Sequence, residues 1–159
     1  MNMFVHGTTP LDSTKALLRP ASLDDAAAIA ALVGELGYSA SAGDIAARLP
    51  LLLDSDRYFL VVAAAADGAL LGLINAERRL NIESGTAYEI TGLVVASSAR
   101  RARVGSALVA AAEAWACAHG AGSMRVRSNV VRPEAHAFYA RLGYGLQKTQ
   151  HCYARALRA

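Results

Sequence analysis

Two periods of apolar and polar positions run along the chain, and each predicts one kind of element. In four segments the apolar side chains recur every three to four residues, as they do on one face of a helix. Ser22, Gly37 and Gly120 stand where such helices should begin or end, whereas Pro50 should kink or end the helix that contains it. The predicted helices cover residues 22–37, 41–53, 104–120 and 133–143.

Between the helices, short apolar or alternating runs predict β-strands. Asp67 and Gly68 form a strong turn signal between two of these runs, which predicts a hairpin. The strands are expected at residues 16–20, 57–65, 70–79, 86–96 and 123–128, with two more in the tail after residue 143. This order predicts a single α/β domain over residues 16–159, with a mixed central β-sheet flanked by helices, after a loosely ordered lead-in at residues 1–15.

Composition fits a globular protein. The chain has 159 residues, of which 54% are hydrophobic and 18% are charged, so we expect one domain with a substantial core. No apolar run reaches the roughly 20 residues of a membrane span, and the first residues lack a signal-peptide pattern, so we expect a cytoplasmic protein. Of the two cysteines, Cys117 is expected to be a buried thiol. The four histidines are scattered, so no metal site is expected.

Positive charge is concentrated where the strand at 86–96 gives way to the next helix. Arg100, Arg101 and Arg103 precede Gly105 there. A helix N-terminus offers free N–H groups, glycine lets a ligand approach the backbone, and arginine adds charge-assisted hydrogen bonds. The pattern RRARVG therefore indicates a pyrophosphate site, although a solvated surface loop would carry the same charges. The sequence contains neither a P-loop nor a dinucleotide-binding glycine pattern.

Two motifs resemble those of the GCN5-related N-acetyltransferase (GNAT) family. Residues 100–105 (RRARVG) are similar to the family's Q/R-x-x-G-x-G/A pattern, which lies between a central strand and a helix. Residues 126–144 (VRSNVVRPEAHAFYARLGY) resemble the stretch that ends in A-x-x-F-Y-x-x-x-G-F/Y. The likeness extends over residues 16–157. It implies a single GNAT-like domain whose splayed central strands hold acetyl-CoA.

The resemblance also implies which residues hold this co-substrate. The pantetheine arm would pair with strand backbone, the pyrophosphate would lie on the loop and helix start, and the later strand would add a polar contact. The residues so implied are Leu93, Val94, Val95, Arg100, Arg101, Ala102, Arg103, Val104, Gly105, Ser106, Ala107, Asn129 and Tyr139. Arg103 replaces the first glycine of the family's pattern. We expect it to adopt a negative φ, at which a Cβ is tolerated; the alternative is a different φ that alters the loop and weakens binding of the co-substrate.

Glu89 and Tyr139 are the candidate catalytic residues. Glu89 lies in an apolar strand, where a carboxylate is costly unless it is used or paired, and it could serve as the base for the amine. The alternative is a glutamate that faces solvent or pairs with an arginine. Tyr139 resembles the family's general acid at the cofactor sulfur, and its alternative is a packing aromatic. The resemblance also implies an oxyanion donor at the Val95 N–H. Weaker candidates for the acceptor pocket are Glu77, Glu83, Tyr88 and His136.

The function implied is transfer of an acetyl group from acetyl-CoA to a primary amine of a small molecule or peptide, by direct attack in a ternary complex and without a metal. The alternative is a catalytically degenerate domain that binds or senses acyl-CoA. A nucleic-acid-binding protein is disfavoured, because the chain lacks interleaved aromatic residues and a basic recognition helix. A homodimer through the last strands is a further hypothesis. The sequence leaves the acceptor open.

Overall fold

The computed structural model describes residues 16–157, so the predicted lead-in at residues 1–15 lies outside the described residues. The elements in chain order are β1 (Leu17–Pro20), α1 (Ala26–Glu35), α2 (Ala42–Leu53), β2 (Tyr58–Ala64), β3 (Leu70–Asn81), β4 (Gly85–Val95), α3 (Val104–Ala118), β5 (Arg125–Val126) and α4 (Pro133–Arg141). The predicted mixed α/β fold is therefore confirmed. The chain forms two compact units that meet at residues 127 and 128, and each is described on its own.

The first unit is built on a five-stranded sheet in the order β1-β2-β3-β4-β5. The first four strands pair antiparallel with their sequence neighbours, whereas β5 pairs parallel with β4. The predicted hairpin between β2 and β3 is present, and its turn residue Gly68 has a φ of +88° that favours glycine. The sheet is therefore mixed, and its one parallel pair lies at the β5 edge.

Helices cover both faces of this sheet. A Cβ built on Gly72 of β3 would lie 2.9 Å from the carbonyl oxygen of Val94 and 3.0 Å from Cδ1 of Leu108, so glycine lets α3 pack closely on β3. The next residue, Leu73, points to the opposite face, because successive side chains of a strand alternate. Leu73 lines a cavity there together with residues of α1 and α2. The helix α3 thus lies on one face, and α1 and α2 lie on the other.

The helix α2 continues through Pro50 to Leu53, close to the predicted extent; the carbonyl of Ala46 loses its partner there, and Ala46 is exposed and can be hydrated. Two other sequence-based expectations about these elements are wrong. Cys117 is exposed, because the buried stripe of α3 runs through Leu108, Ala112 and Ala116 instead. The tail forms neither of its two expected strands: residues 142–157 contain no helix or strand. Leu146, Tyr153 and Leu157 of this tail are exposed, and no described strand pairs with it.

An ion pair joins β1 to the turn that begins α1. Asp25, of which 7% is exposed, accepts a hydrogen bond from each terminal nitrogen of Arg19 at 2.8 Å and from the N–H of Ser22 at 2.7 Å. The hydrogen bonds from Arg19, aided by Ser22, outweigh burial and lower the pKa of Asp25 to about 2. The ionised carboxylate therefore stabilises the folded chain.

We predict that Asp25→Asn lowers the free energy of unfolding by about 1–3 kcal/mol at pH 7, because Arg19 keeps its charge and loses its carboxylate partner. The folded pKa lies below the usual 3.8. The stabilisation should therefore be complete above pH 3.8 and be lost as the pH falls through about 2. Urea unfolding of both proteins between pH 7 and pH 2 measures the difference.

The control for this prediction is Asp24→Asn, which removes an exposed carboxylate one residue away. It should change the free energy of unfolding by less than about 0.5 kcal/mol at every pH. A loss for Asp25→Asn that stayed constant down to pH 2 would contradict the role given to the ion pair.

Candidate functional site

The pairing of β4 with its neighbouring strands is interrupted in the middle of its length. Ile90 lies opposite Ala76 of β3, but the next pair joins Gly92 to Asn75, so Thr91 is an extra residue that forms a β-bulge. The pairing of β4 with β5 ends at the same place, with Ile90 opposite Val126. A bulge bends its strand and increases the local twist. The two parallel strands thus pair over only two residues before β4 turns away, as the predicted splay requires.

Beyond the bulge, alternate residues of β4 direct their backbone N–H and C=O groups away from β3. The N–H of Ala96 donates to the carbonyl of Leu71 at 2.9 Å. Because hydrogen-bonded and non-hydrogen-bonded pairs alternate in an antiparallel ladder, the N–H and C=O groups of Leu93 and Val95 face away from β3. No strand within residues 16–157 pairs with them on that side. The edge therefore offers backbone donors and acceptors to a ligand.

An apolar cavity of about 230 Å³ adjoins this segment on the α1 and α2 face of the sheet. Gly92, Leu93 and Val94 of β4 form part of its wall, and Asn75 of β3 forms another part. Most of the remaining wall is aliphatic and comes from Ile29, Val33, Ile45, Leu49, Leu60 and Leu73. The cavity can hold a compact molecule with an apolar body next to the free edge of β4.

The arginine-rich loop leads directly into α3. The side chains of Arg100, Arg101 and Arg103 are exposed. The first intrahelical hydrogen bond runs from the N–H of Ala107 to the carbonyl of Arg103. The preceding N–H groups, those of residues 104–106, have no acceptor within the helix and, with the helix dipole, favour an anion. The loop therefore has the chemistry of the predicted pyrophosphate site.

The expectation that Arg103 has a negative φ is wrong. Its φ is +60° and its ψ is 7°, which is the left-handed conformation, and Arg101 has a φ of +70°. The left-handed conformation turns the chain into the first turn of α3, and a glycine adopts it without steric cost. An arginine with its Cβ adopts it at a cost of about 1–2 kcal/mol. The loop keeps the glycine-type backbone while it carries arginine side chains.

Glu89 is buried within a network of alternating charges. Its Oε1 lies 3.2 Å from Nε of Arg127 on the chain just after β5 and 3.9 Å from a terminal nitrogen of Arg79. Arg79 also lies 3.3 Å from Glu77, the residue directly opposite Glu89 on β3. A further ion pair joins Glu77 to Arg57 at 3.2 Å. The alternative of an arginine-paired glutamate is thus realised, at a position that is only 6% exposed.

Two residues near this site were not predicted from the sequence. Asn75 and Arg79 share the face of β3 that carries Glu77, and the two-residue period of the strand could have grouped them. Tyr88 points to the α3 face, where its hydroxyl donates to the carbonyl of His119 at 2.8 Å, so it does not line the apolar cavity. Glu83 is exposed in the turn between β3 and β4, and it does not line the cavity either.

A second, more polar cavity of about 390 Å³ lies at the C-terminal end of α3. Its wall includes Arg78, Tyr88, His119 and the loop at residues 120–123. None of the residues predicted to bind the co-substrate or to catalyse the reaction lines it. The apolar cavity, although smaller, is the one that adjoins residues predicted to bind the co-substrate, whereas Tyr88, a weaker candidate for the acceptor pocket, lines the polar cavity.

The second unit carries Asn129, His136 and Tyr139. The Oδ1 of Asn129 accepts a hydrogen bond from the N–H of Val131 at 3.2 Å, and its carbonyl lies 2.9 Å from Nε2 of His136, so both residues order the turn before α4. Tyr139 is half-buried, and its ring contacts those of Phe138 and Tyr144. Burial raises the pKa of Tyr139 to about 12, so its hydroxyl stays protonated at neutral pH.

No group of histidine, cysteine and carboxylate side chains within residues 16–157 has the arrangement of a metal site. No helix in the same residues is long and apolar enough to cross a membrane.

Comparison with known proteins adds to this geometry. The model of the Acetyltransferase (GNAT) family matches residues 27–144. The aminoalkylphosphonate N-acetyltransferase of Salmonella typhimurium is 32% identical to this chain over 133 residues, which cover 80% of this chain and 83% of that protein.

Solved structures share the fold. An aminoglycoside N-acetyltransferase in complex with CoA superposes with a TM-score of 0.81 at 19% identity, covering 91% of this chain and 97% of the other. The glucosamine-6-phosphate N-acetyltransferase of Arabidopsis thaliana gives a TM-score of 0.76 at 18% identity, covering 86% and 96%. The predicted sheet with its flanking helices is thus the architecture of these acetyltransferases.

We predict that Arg103→Gly raises the free energy of unfolding by up to about 1 kcal/mol, because glycine removes the steric cost of the left-handed backbone. Arg100→Gly is the matched control, since Arg100 has a φ of −62° that any residue adopts. That variant should lose about 0.5–1 kcal/mol through the greater entropy of its unfolded chain. Urea unfolding of the unchanged protein and the two variants measures the sign of each change in the free energy of unfolding. Equal changes in the two variants would show that Arg103 is not strained.

Proposed function

Because the chain belongs to the acetyltransferase (GNAT) family, we propose that it transfers an acetyl group from acetyl-CoA to the primary amine of a small molecule. One observation carries the proposal: the free edge of β4 beyond its bulge lies between an apolar cavity and an arginine-rich helix start. Acetyl-CoA can lie along this edge while its pyrophosphate reaches the start of α3 and its acetyl group faces the cavity.

The proposed path of acetyl-CoA follows the backbone. The pantetheine arm pairs with the free N–H and C=O groups of Leu93 and with the C=O of Val95, much as an added strand would. The pyrophosphate accepts hydrogen bonds from the N–H groups of residues 104–106, and Arg100, Arg101 and Arg103 supply positive charge. The polar contact of Asn129 to the co-substrate, taken from the resemblance, remains part of the proposal.

In the reaction, the lone pair of a neutral amine attacks the thioester carbonyl carbon and forms a C–N bond. The carbonyl oxygen takes negative charge, which the N–H of Val95 stabilises as a hydrogen-bond donor. The C–S bond then breaks and its electron pair leaves with the sulfur. The amine gives up one proton to a base and the thiolate receives one from an acid, so the products are an amide and CoA.

Glu89 is the proposed base. Its carboxylate is buried, and Arg79 and Arg127 fix its orientation through ion pairs. It shares a face of the sheet with Asn75, which lines the cavity, because Glu89 lies opposite Glu77 and Glu77 is two residues from Asn75. That spacing is about 7 Å along the strand, so the proposed proton transfer from the amine to Glu89 runs through bound water.

Tyr139 is the proposed acid. Its pKa of about 12 keeps the hydroxyl protonated throughout the pH range of an ordinary assay, so it can donate a proton to the leaving thiolate. The proposal rests on the residue's match to the family's motif.

A small acceptor is proposed for two reasons. The cavity of about 230 Å³ is below the roughly 300–1,000 Å³ of sites for drug-sized ligands. The named relatives also act on small amines, an aminoalkylphosphonate in one case and an aminoglycoside in another. The cytoplasmic location and the homodimer expected from the sequence remain predictions.

We predict that acetyl-CoA stabilises the protein selectively among acetyl-CoA, ATP and duplex DNA. At about 100 times its Kd the gain should be roughly 2.7 kcal/mol, or a rise in Tm of about 5–11 °C. Gly105→Val should remove this shift, since a branched side chain would fill the space of the pyrophosphate, whereas Arg103→Gly should retain it. Thermal unfolding with each ligand measures these shifts. A shift with DNA and none with acetyl-CoA would contradict the proposed function.

We predict that Glu89→Gln and Tyr139→Phe both lower turnover, by about 10²–10⁴ for the loss of the base. The two should differ in their response to the acyl donor. A donor with a better leaving group than CoA should restore much of the activity of Tyr139→Phe and none of that of Glu89→Gln. Release of the thiol during steady-state turnover measures both.

Binding of acetyl-CoA by both variants is the control, and it should match that of the unchanged protein. Full activity of Tyr139→Phe with acetyl-CoA would show that Tyr139 only packs. Binding of acetyl-CoA by the unchanged protein without any transfer would favour the alternative of an acyl-CoA-sensing domain.

A further inference from the structure

Asn75 carries a buried polar atom that the fold leaves unsatisfied. Its side-chain oxygen Oδ1 is buried and has no hydrogen-bond partner among residues 16–157. Leaving such an acceptor unpaired costs about 1–3 kcal/mol, so an orphaned buried oxygen calls for an explanation. A ligand that donates a hydrogen bond would supply one.

The position of Asn75 shows where that ligand would lie. Asn75 is directly opposite Gly92, the residue at which β4 resumes its pairing after the bulge. Its carbonyl accepts a hydrogen bond from the hydroxyl of Thr91, the bulged residue itself, at 3.2 Å. Asn75 also lines the apolar cavity. Its side chain therefore stands where the cavity meets the strand edge proposed to hold the thioester.

The cavity restricts the chemistry of its occupant. Its wall is almost entirely hydrocarbon, and hydrocarbon walls favour an apolar body over a polyhydroxylated one. Arg48 is the one charged residue of the wall in the described part of the chain. A second cation on the ligand would face this arginine without a carboxylate in the wall to pair with, whereas a single negative charge would be accepted.

We propose that the acceptor is a compact primary amine with a hydrocarbon body and that the Oδ1 of Asn75 accepts a hydrogen bond from its nitrogen. The hydrogen bond would orient the amine toward the thioester carbonyl at the bulge, and the hydrocarbon body would fill the cavity. This inference rests on the proposed function, and it adds a specificity-determining residue and a substrate class to it.

The test uses pentylamine, 3-aminopropylphosphonate and spermidine as probes of the full chain. Isothermal titration measures the binding of each amine with and without bound CoA, and thiol release from acetyl-CoA measures transfer. The variants are Asn75→Leu, which removes the oxygen at similar volume, and Asn75→Asp, which retains an oxygen acceptor. The matched control is Asn81→Leu, the same replacement on β3, at a residue that does not line the cavity.

Pentylamine and 3-aminopropylphosphonate should bind at least about tenfold more tightly than spermidine. Asn75→Leu should weaken the binding of pentylamine about 10-fold to 100-fold and lower kcat/KM by a similar factor, as expected for one hydrogen bond to a charged or polarised donor. Asn75→Asp should recover most of this loss. Acetyl-CoA affinity should stay within about twofold in all variants, and Asn81→Leu should match the unchanged protein.

Three results would overturn the inference. The first is a Kd of Asn75→Leu for pentylamine within twofold of that of the unchanged protein, or no pentylamine binding by an unchanged protein that binds acetyl-CoA. The second is spermidine binding as tightly as pentylamine. The third combines two observations: pentylamine competes for binding with the acyl chain of hexanoyl-CoA, and the protein transfers the hexanoyl group faster than the acetyl group. Together they would assign the cavity to the acyl group of the donor. Failure of the unchanged protein to bind acetyl-CoA would instead overturn the proposed function, and titration without CoA would still test Asn75.

Discussion

The early end of one strand pairing is the constraint on which the site depends. The strands β4 and β5 pair over two residues and then part, because the extra residue Thr91 bends β4. Parallel strands that stayed paired would satisfy their backbone groups within the sheet. Here the N–H and C=O groups of Leu93 and Val95 face outward, so the fold supplies a ready edge for an extended ligand. One ligand on this edge could reach both the cavity, whose wall includes Leu93 and Val94, and the arginine loop that follows β4.

Charge is balanced differently around Glu89 and in the loop before α3. The carboxylates of Glu89 and Glu77 are matched by Arg79, Arg127 and Arg57, so the buried carboxylate of Glu89 is held in one orientation without an uncompensated charge. In the loop before α3, the arginine side chains are exposed, and the free N–H groups of the helix add to their field. The protein thus pairs its charges around the proposed base and leaves positive charge open at the proposed pyrophosphate site.

Local strain accompanies this open charge. Arg101 and Arg103 both adopt the left-handed backbone that favours glycine. The sequence-based expectation for Arg103 was wrong because it reasoned from the side chain, whereas the turn into α3 dictates the backbone. Such strain persists only where the surrounding structure holds it in place. The tight packing of α3 on Gly72 is one contact that fixes the start of that helix.

The sequence by itself determined the kind and order of the elements, because the period of apolar positions is a local property that survives in any context. It also determined the chemistry of the arginine loop, which depends on adjacent residues. Only the tertiary structure decided the bulge at Thr91, the pairing of Glu89 with Arg127 and the unsatisfied oxygen of Asn75. It likewise left the tail without its expected strands, since a strand needs a partner and no local pattern supplies one. Register and pairing join residues that are distant in the chain, and their energies appear only once the sheet has formed.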